Sequence, residues 1–375
     1  MESRDEGKVY AEKRLKVPAS DWQKLKFNLK PDTADKTGRF VLKLKRPGSV
    51  TVGYAFLQPG TWGRFQGLPV RKDVAEGLID QGITVLRHGG CIVNAAEYRW
   101  KKMIGPREHR SPYTGWLYPH SSNGWGIFDF LNFCEAARFL AIPDVNIDET
   151  PQDMADFIEY ANGPADSEWG RKRTADGHPK PYRLKHLQIG NEERVNEDYW
   201  RKFKTIAEAV WAKDPEIILV VGDFAYEQPI TDPFDFKGAA WGITSLAAHQ
   251  KILQLAKAHN CEVWFDVHIG TDSPRPDFGG TWSYIDALEQ LADGARHRVV
   301  VFAEQPLRAK IQTRGFVSSN GVAKVEELSG PLHAVNMAVA PGRIKPYAFA
   351  WPHESRDGQC TYTFPPHSFT TIRFD

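Results

Sequence analysis

The sequence predicts an α/β fold of the (β/α)8 barrel type, with sandwich-like β-strand elements at its N- and C-terminal ends. Three observations lead there. Between residues 68 and 310, short apolar strand patterns alternate about six times with helical ones, the arrangement of parallel βαβ units. No Gly-x-Gly-x-x-Gly loop or Walker lysine follows the first strand, which argues against an open doubly wound sheet. Both ends of the chain revert to period-two alternation.

Taken in order, "KLKFNLK" and "GRFVLKLKRPGSVTVGYAFL" alternate apolar and polar residues around a Pro47-Gly48 turn, and define an N-terminal β segment over 1–60. A barrel domain then spans 61–315. Its first helix is "VRKDVAEGLIDQG", with Val70, Val74 and Leu78 at helical spacing and a glycine stop. "ITVLRHGG" reads as a short buried strand, "GIFDFLNFCEAARFLA" as a helix and "IPDVNID" as a strand. Thr150 caps the helix that opens with Pro151, a residue preorganised for a first turn. "LKHLQIGNE" is the next strand. In the following helix Tyr199, Phe203, Ile206 and Val210 share one face. "EIILVVGD", "CEVWFDVHIG" and "RHRVVVFAEQ" continue as strands, separated by "GITSLAAHQKILQLAKAHN" and "TWSYIDALEQLADGA" as helices. "GQCTYTFPPHSFTTIRFD" returns to alternation in a C-terminal β segment over 316–375.

Composition narrows the function classes. A net charge of +1 gives no drive toward nucleic acid or anionic membranes. No apolar run approaches the roughly 20 residues that span a bilayer, and the charged start "MESRDEGKVYAEKRLK" lacks the apolar centre of a signal peptide; the compartment stays open. Cys91, Cys134, Cys261 and Cys360 are scattered, with no CxxC pair to suggest zinc or a disulfide framework; Cys91 reads as a small buried hydrophobe. The 12 Trp, 12 Tyr and 21 Phe suit core packing first, and a cleft in which sugar faces stack on rings second.

In parallel barrels chemistry sits at the C-terminal strand ends. The polar residues there are Arg87 and His88, Asn191 and Glu192, Asp223, Asp266 and His268, and Glu304. Two carboxylates facing one cleft, Glu192 and Glu304, are the minimum for glycoside hydrolysis: one donates a proton to the leaving oxygen, the other attacks or activates water. Asn191 is placed to meet a sugar hydroxyl, and Arg87 and His268 to orient the carboxylates. Each residue alone has a plainer role. A glutamate after a strand commonly starts a helix, a lone histidine is commonly a hydrogen-bonded core residue, and a lone arginine an ion-pair partner.

Several blocks of this sequence resemble glycoside hydrolase family 51, the α-L-arabinofuranosidases of clan A, in its long form. "LQIGNE" resembles the Asn-Glu strand signature. "TWGRFQGLPVRKDVAEGL", "VLRHGGCIVNAAEYRWKKMIGPREHR", "YANGPADSEWGRKRTADGHPKPYRLKHLQIGNEE" and "VEELSGPLHAVN" follow in family order, and the ending matches as well. The resemblance implies a retaining glycosidase that removes α-L-arabinofuranosyl groups from plant polysaccharides or oligosaccharides. Glu192 is then the acid/base, Glu304 the nucleophile, and Asn191 the partner of the sugar 2-hydroxyl. Arg87 supports the nucleophile, His268 is the sixth-strand histidine and Trp116 lines the sugar subsite. The two carboxyls of a retaining pair lie about 5–5.5 Å apart. No metal or cofactor is implied, and neither nucleic acid nor membrane is a partner.

The chain departs from the family in several places, among them the "VFAEQ" register around Glu304 and Ile269-Gly270 where the family's histidine is often followed by Tyr. His88 stands alone where the family has Phe-Pro before Gly-Gly. Nothing before residue 15 resembles the first barrel strand, and "QPLRAKIQTRGFVSSNG" is too short for the last helix and strand. A barrel lacking its first and last strands exposes edges, and pairing into a homo-oligomer is one way to cover them. Two rival expectations follow: an endo-acting β-glucanase or xylanase on the same scaffold, and a catalytically degenerate carbohydrate-binding protein.

Overall fold

Six parallel strands in sequential order form the centre of the structure, a computed structural model. It describes residues 1–375 apart from 6, 18–20, 116–120, 122, 225–227, 238–241, 270–278, 304–306, 313–320, 330–344, 355–357, 366–367 and 375. The strands are β1 (Val85–His88), β2 (Leu140–Val145), β3 (His186–Ile189), β4 (Ile218–Phe224), β5 (Glu262–Ile269) and β6 (Arg296–Ala303). Among the described residues β1 pairs only with β2 and β6 only with β5, so the sheet has two edges. Helix α1 (Lys72–Asp80) precedes β1. The crossovers are α2 (Ile127–Ala137), α3 (Pro151–Asn162) with α4 (Glu168–Ala175), α5 (Glu197–Lys213), α6 (Ala247–Ala258) and α7 (Gly279–Leu291).

The sheet curls into an incomplete barrel. Strands β1 and β5 are four places apart, about 19 Å in a flat sheet at roughly 4.8 Å per strand. Yet Arg87 Nε on β1 lies 3.4 Å from Asp266 Oδ2 on β5. Two side chains of that length meet only if the sheet closes toward itself on this face. The opposite face carries Leu187, Ile189, Leu219, Val221, Val263, Phe265 and Val267, all 0% exposed, and packs against the helices in one core. Fully apolar alternate positions under helices are what a parallel sheet requires.

Local signals set the helix ends. Thr150 Oγ1 accepts from the Asp153 N–H at 3.0 Å, with Pro151 in the first turn. Asn196 Oδ1 accepts from the N–H groups of Asp198 and Tyr199 at 3.0 and 3.1 Å, starting α5. Tyr199, Phe203, Ile206 and Val210 are buried together, as their spacing predicts. Helix α2 stops short of the expected run, because Arg138 turns left-handed (φ 62°) and the chain enters β2 at Leu140. Helix α4 is absent from the sequence reading. It buries only Gly170 and Arg173 and so has no apolar stripe to detect.

The two flanking segments behave differently. At the C-terminal end, β7 (Leu307–Gln312) pairs antiparallel with β10 (Gln359–Phe364), and β8 (Val322–Ser329) pairs with both β9 (Tyr347–Pro352) and β11 (Ser368–Phe374). These strands start at Leu307, ahead of residue 316. At the N-terminal end the expected ladders do not form. Described residues of 1–60 make only isolated bridges, Glu2 with Val9 and with Arg39. Alternation produces a strand only where a partner ladder and a buried face exist; here Leu25, Leu42, Leu44 and Val52 stay exposed.

Candidate active site

The site grows from the turn after β3. Gly190 adopts φ 76° and Glu192 φ 52°, both left-handed. That conformation is uncommon for a residue with a side chain, and it marks turns held in place by their surroundings. Two backbone bonds hold it: Gly190 N–H to the Val145 carbonyl and Glu193 N–H to the Gly222 carbonyl, both 2.8 Å. Gly222 on β4 is needed here, since a Cβ at that position would sit 1.9 Å from the Gly190 carbonyl oxygen. Asn94 closes the turn from the β1 side, donating from Nδ2 to the Asn191 carbonyl at 2.9 Å.

On the polar face, side chains from four strands and this turn form one network. Arg87 donates from Nε to Gln188 Oε1 at 2.8 Å and from Nη2 to Asp144 Oδ2 at 3.0 Å and Asn191 Oδ1 at 2.6 Å. His268 lies between two carboxylates, with Nδ1 3.1 Å from Glu192 Oε1 and Nε2 3.0 Å from Asp266 Oδ2. Burial alone would pull the imidazole pKa down. The hydrogen bonds to Asp266 and Glu192 outweigh it and raise the pKa to about 9. The His268 bond in turn holds the Glu192 carboxyl below its ordinary range, against the opposing effect of burial. Glu192 and His268 therefore stand as carboxylate and imidazolium at neutral pH.

Of the residues expected from the sequence, Arg87, Asn191, Glu192 and His268 are brought together. Glu304, which follows the last residue of β6, and Trp116 both lie outside the described residues. Two rim residues go elsewhere. Asp223 is on the helix side, accepting from Tyr284 Oη at 2.6 Å and lying 2.8 Å from His249 Nε2. His88 also faces the core, 5.0 Å from the Phe130 ring, and burial lowers its pKa to about 4, so it is neutral. The reading of Cys91 as a small core residue is corrected. It is half-buried, with Sγ 3.8 Å from Glu192 Oε2.

Asp144, Gln188 and Asn94 were missed. The signal for Asp144 was an acid inside the apolar run "IPDV", which a buried strand does not carry without a reason. Glu193, next to the candidate acid/base, lines together with Glu192, Ile147, Arg194 and Tyr199 an open depression of about 340 Å³. Burial pushes its carboxyl up to about 7. The groups are suited to proton transfer at Glu192 and to binding a hydroxylated ligand at Asn191. Among the described residues no cluster of His, Cys, Asp and Glu is arranged to hold a metal ion. No described helix is long and apolar enough to cross a membrane.

Comparison with known proteins gives the following. Residues 78–249 match the α-L-arabinofuranosidase 1 domain. Over 232 residues the chain is 29% identical to an extracellular exo-α-L-arabinofuranosidase of Streptomyces chartreusis, a match covering 53% of this chain and 28% of that protein. Over 126 residues it is 35% identical to an intracellular exo-α-L-arabinofuranosidase of Bacteroides ovatus, covering 32% of this chain and 24% of that one. The chain thus spans well under half the length of these relatives. Among solved structures it resembles a family 51 α-L-arabinofuranosidase from Bifidobacterium longum, with TM-score 0.52 and 16% identity, covering 81% of this chain and 90% of that one. At that identity the likeness speaks for the fold.

Proposed function

We propose that this chain is a glycoside hydrolase family 51-type protein, a reading supported by the matched domain over residues 78–249 and by the arabinofuranosidase relatives, and that it removes α-L-arabinofuranosyl groups from plant poly- or oligosaccharides with retention of configuration. Glu192 is the acid/base and Glu304 the nucleophile. Asn191 meets the hydroxyl beside the reacting carbon, and Arg87, His268 and Trp116 complete the sugar site. The observation that carries this reading is the Asn191-Glu192 turn. It is held left-handed at the C-terminal end of β3, with its amide on Arg87 and its carboxylate on His268.

The ionised Glu192 suits the half of the cycle in which a base activates water. The acid half requires a proton on that carboxyl when the glycoside is bound. Negative charge on the nucleophile and exclusion of water by the sugar both push in that direction. The test compares two substrates with Glu192→Gln. Hydrolysis of an alkyl arabinofuranoside, whose leaving group needs protonation, should fall on the order of 100-fold or more. Cleavage of an activated nitrophenyl arabinofuranoside should fall far less, and NMR of the first product should show the starting anomeric configuration. An equal fall for both substrates removes the acid/base role.

A second reading, sugar binding without turnover, is favoured by the two sheet edges at β1 and β6. Arabinoside binding with no hydrolysis of any arabinofuranoside would select it.

A further inference from the structure

Asp144 is 0% exposed on the polar face of the sheet. Its Oδ2 accepts from Arg87 Nη2 at 3.0 Å, while its Oδ1 has no hydrogen-bond partner among the described residues. Burial pushes the pKa of this carboxyl well above the ordinary range, and a buried polar group with an unfilled oxygen costs stability relative to an apolar residue of its size, so a fold-stabilising role does not account for it. The loop after β1 is nevertheless shaped around it. A Cβ on Gly89 would lie 2.3 Å from Asp144 Cβ, and the Gly90 N–H points at Oδ2 from 3.5 Å.

Arg87 Nη2, anchored by Asp144, is also the donor to Asn191 Oδ1 at 2.6 Å. A guanidinium only donates, so this contact decides which way the Asn191 amide is turned. Oδ1 is committed to Arg87. Nδ2 is left facing Cys91 Sγ at 4.0 Å, a weak acceptor that leaves the N–H available. Gln188 and Asp266 hold the guanidinium from its Nε side, at 2.8 and 3.4 Å. Asp144 is the carboxyl on the Nη2 side, next to Asn191.

We propose that Asp144 is a positioning residue: by anchoring Arg87 it fixes the Asn191 amide with Nδ2 toward the sugar, and so selects a substrate that presents a hydroxyl oxygen there. This rests on the reading above in which Asn191 meets the hydroxyl beside the reacting carbon. Asp144 itself does not touch substrate. It acts through Arg87 on the polarity of a single hydrogen bond.

The test is a ratio of ratios. kcat/KM is measured for a nitrophenyl α-L-arabinofuranoside and its 2-deoxy analogue in the wild-type protein and in Asp144→Asn, which keeps the shape and replaces the carboxyl that holds Arg87 by an amide. Wild type should prefer the 2-hydroxy substrate. In Asp144→Asn that preference should shrink by about tenfold, the worth of one hydrogen bond, through loss on the 2-hydroxy substrate alone. A merely structural role would lower both substrates together, and that result, or an unchanged ratio, overturns the inference. Should Asp144→Asn not fold, Asp144→Ser is read by the same ratio. If wild type hydrolyses neither substrate, the activity reading fails on its own. The inference is then judged by calorimetric binding of L-arabinose and its 2-deoxy derivative, where the same shrinkage must appear in the ratio of Kd values.

Discussion

Replacing His268 by glutamine puts a neutral amide, at every pH, where the wild-type protein holds an imidazolium between Glu192 and Asp266. The folded imidazole titrates at about 9 against an ordinary value of 6.5. At about 1.36 kcal/mol per pH unit, that gap corresponds to roughly 3 kcal/mol of linked stability. The value is raised, so the contribution is fully present below pH 6.5 and is lost as pH rises through 9. Among the described residues burial opposes the cation, the two carboxylates favour it and outweigh that, and Arg87 opposes it. His268 is 9% exposed, so solvent screening takes away little. Urea unfolding of wild type and His268→Gln at pH 6 and pH 10 measures the effect by linear extrapolation. The variant should be less stable at pH 6, and the difference should shrink by about 3 kcal/mol at pH 10. A difference equal at both pH values within about 0.5 kcal/mol would refute a charged His268 in the fold.

Two further substitutions test how the frame carries the site. Gly222→Ala forces a methyl against the Gly190 carbonyl, 1.9 Å from the ideal Cβ position. It should cost about 1–3 kcal/mol in unfolding experiments. It should also abolish arabinofuranoside turnover by moving the Asn191-Glu192 turn, and a fully active variant would mean that the turn does not depend on this approach. Thr150→Ala removes the cap that accepts from Asp153 N–H. It should lower stability by about 1 kcal/mol in denaturant titrations, with kcat unchanged.

How much was legible in the sequence varies by element. Helix α3 was readable because Thr150-Pro151 is a local start signal, and the face of α5 because its spacing needs only its own residues. Helix α4 was not readable, since Arg173 is buried by its backbone acceptors, the carbonyls of Tyr160, His178 and Pro179, all remote from any periodic pattern. The N-terminal runs show the opposite error. Their alternation is plain, but alternation states which face a strand would bury, not that a partner exists to bury it.

For the site, "LQIGNEE" by itself determined a strand, a glycine turn and a carboxylate at the rim. The alternation of strands and helices determined that Arg87, Glu192 and His268 lie at the same end of the sheet. What each of them touches was decided only by the tertiary structure. Arg87 meets Asp144, Gln188 and Asn191 across 57, 101 and 104 residues of chain. It also reaches Asp266, four strands away. Those contacts exist because the sheet curls, and curl is a property of strand twist summed over several ladders, which no single segment of sequence contains. Asp223 and His88 point away from the cleft for a different reason, the alternation of side chains along each strand. On a strand a one-residue step reverses the face, and which face is inside is fixed only when the helices pack against the other.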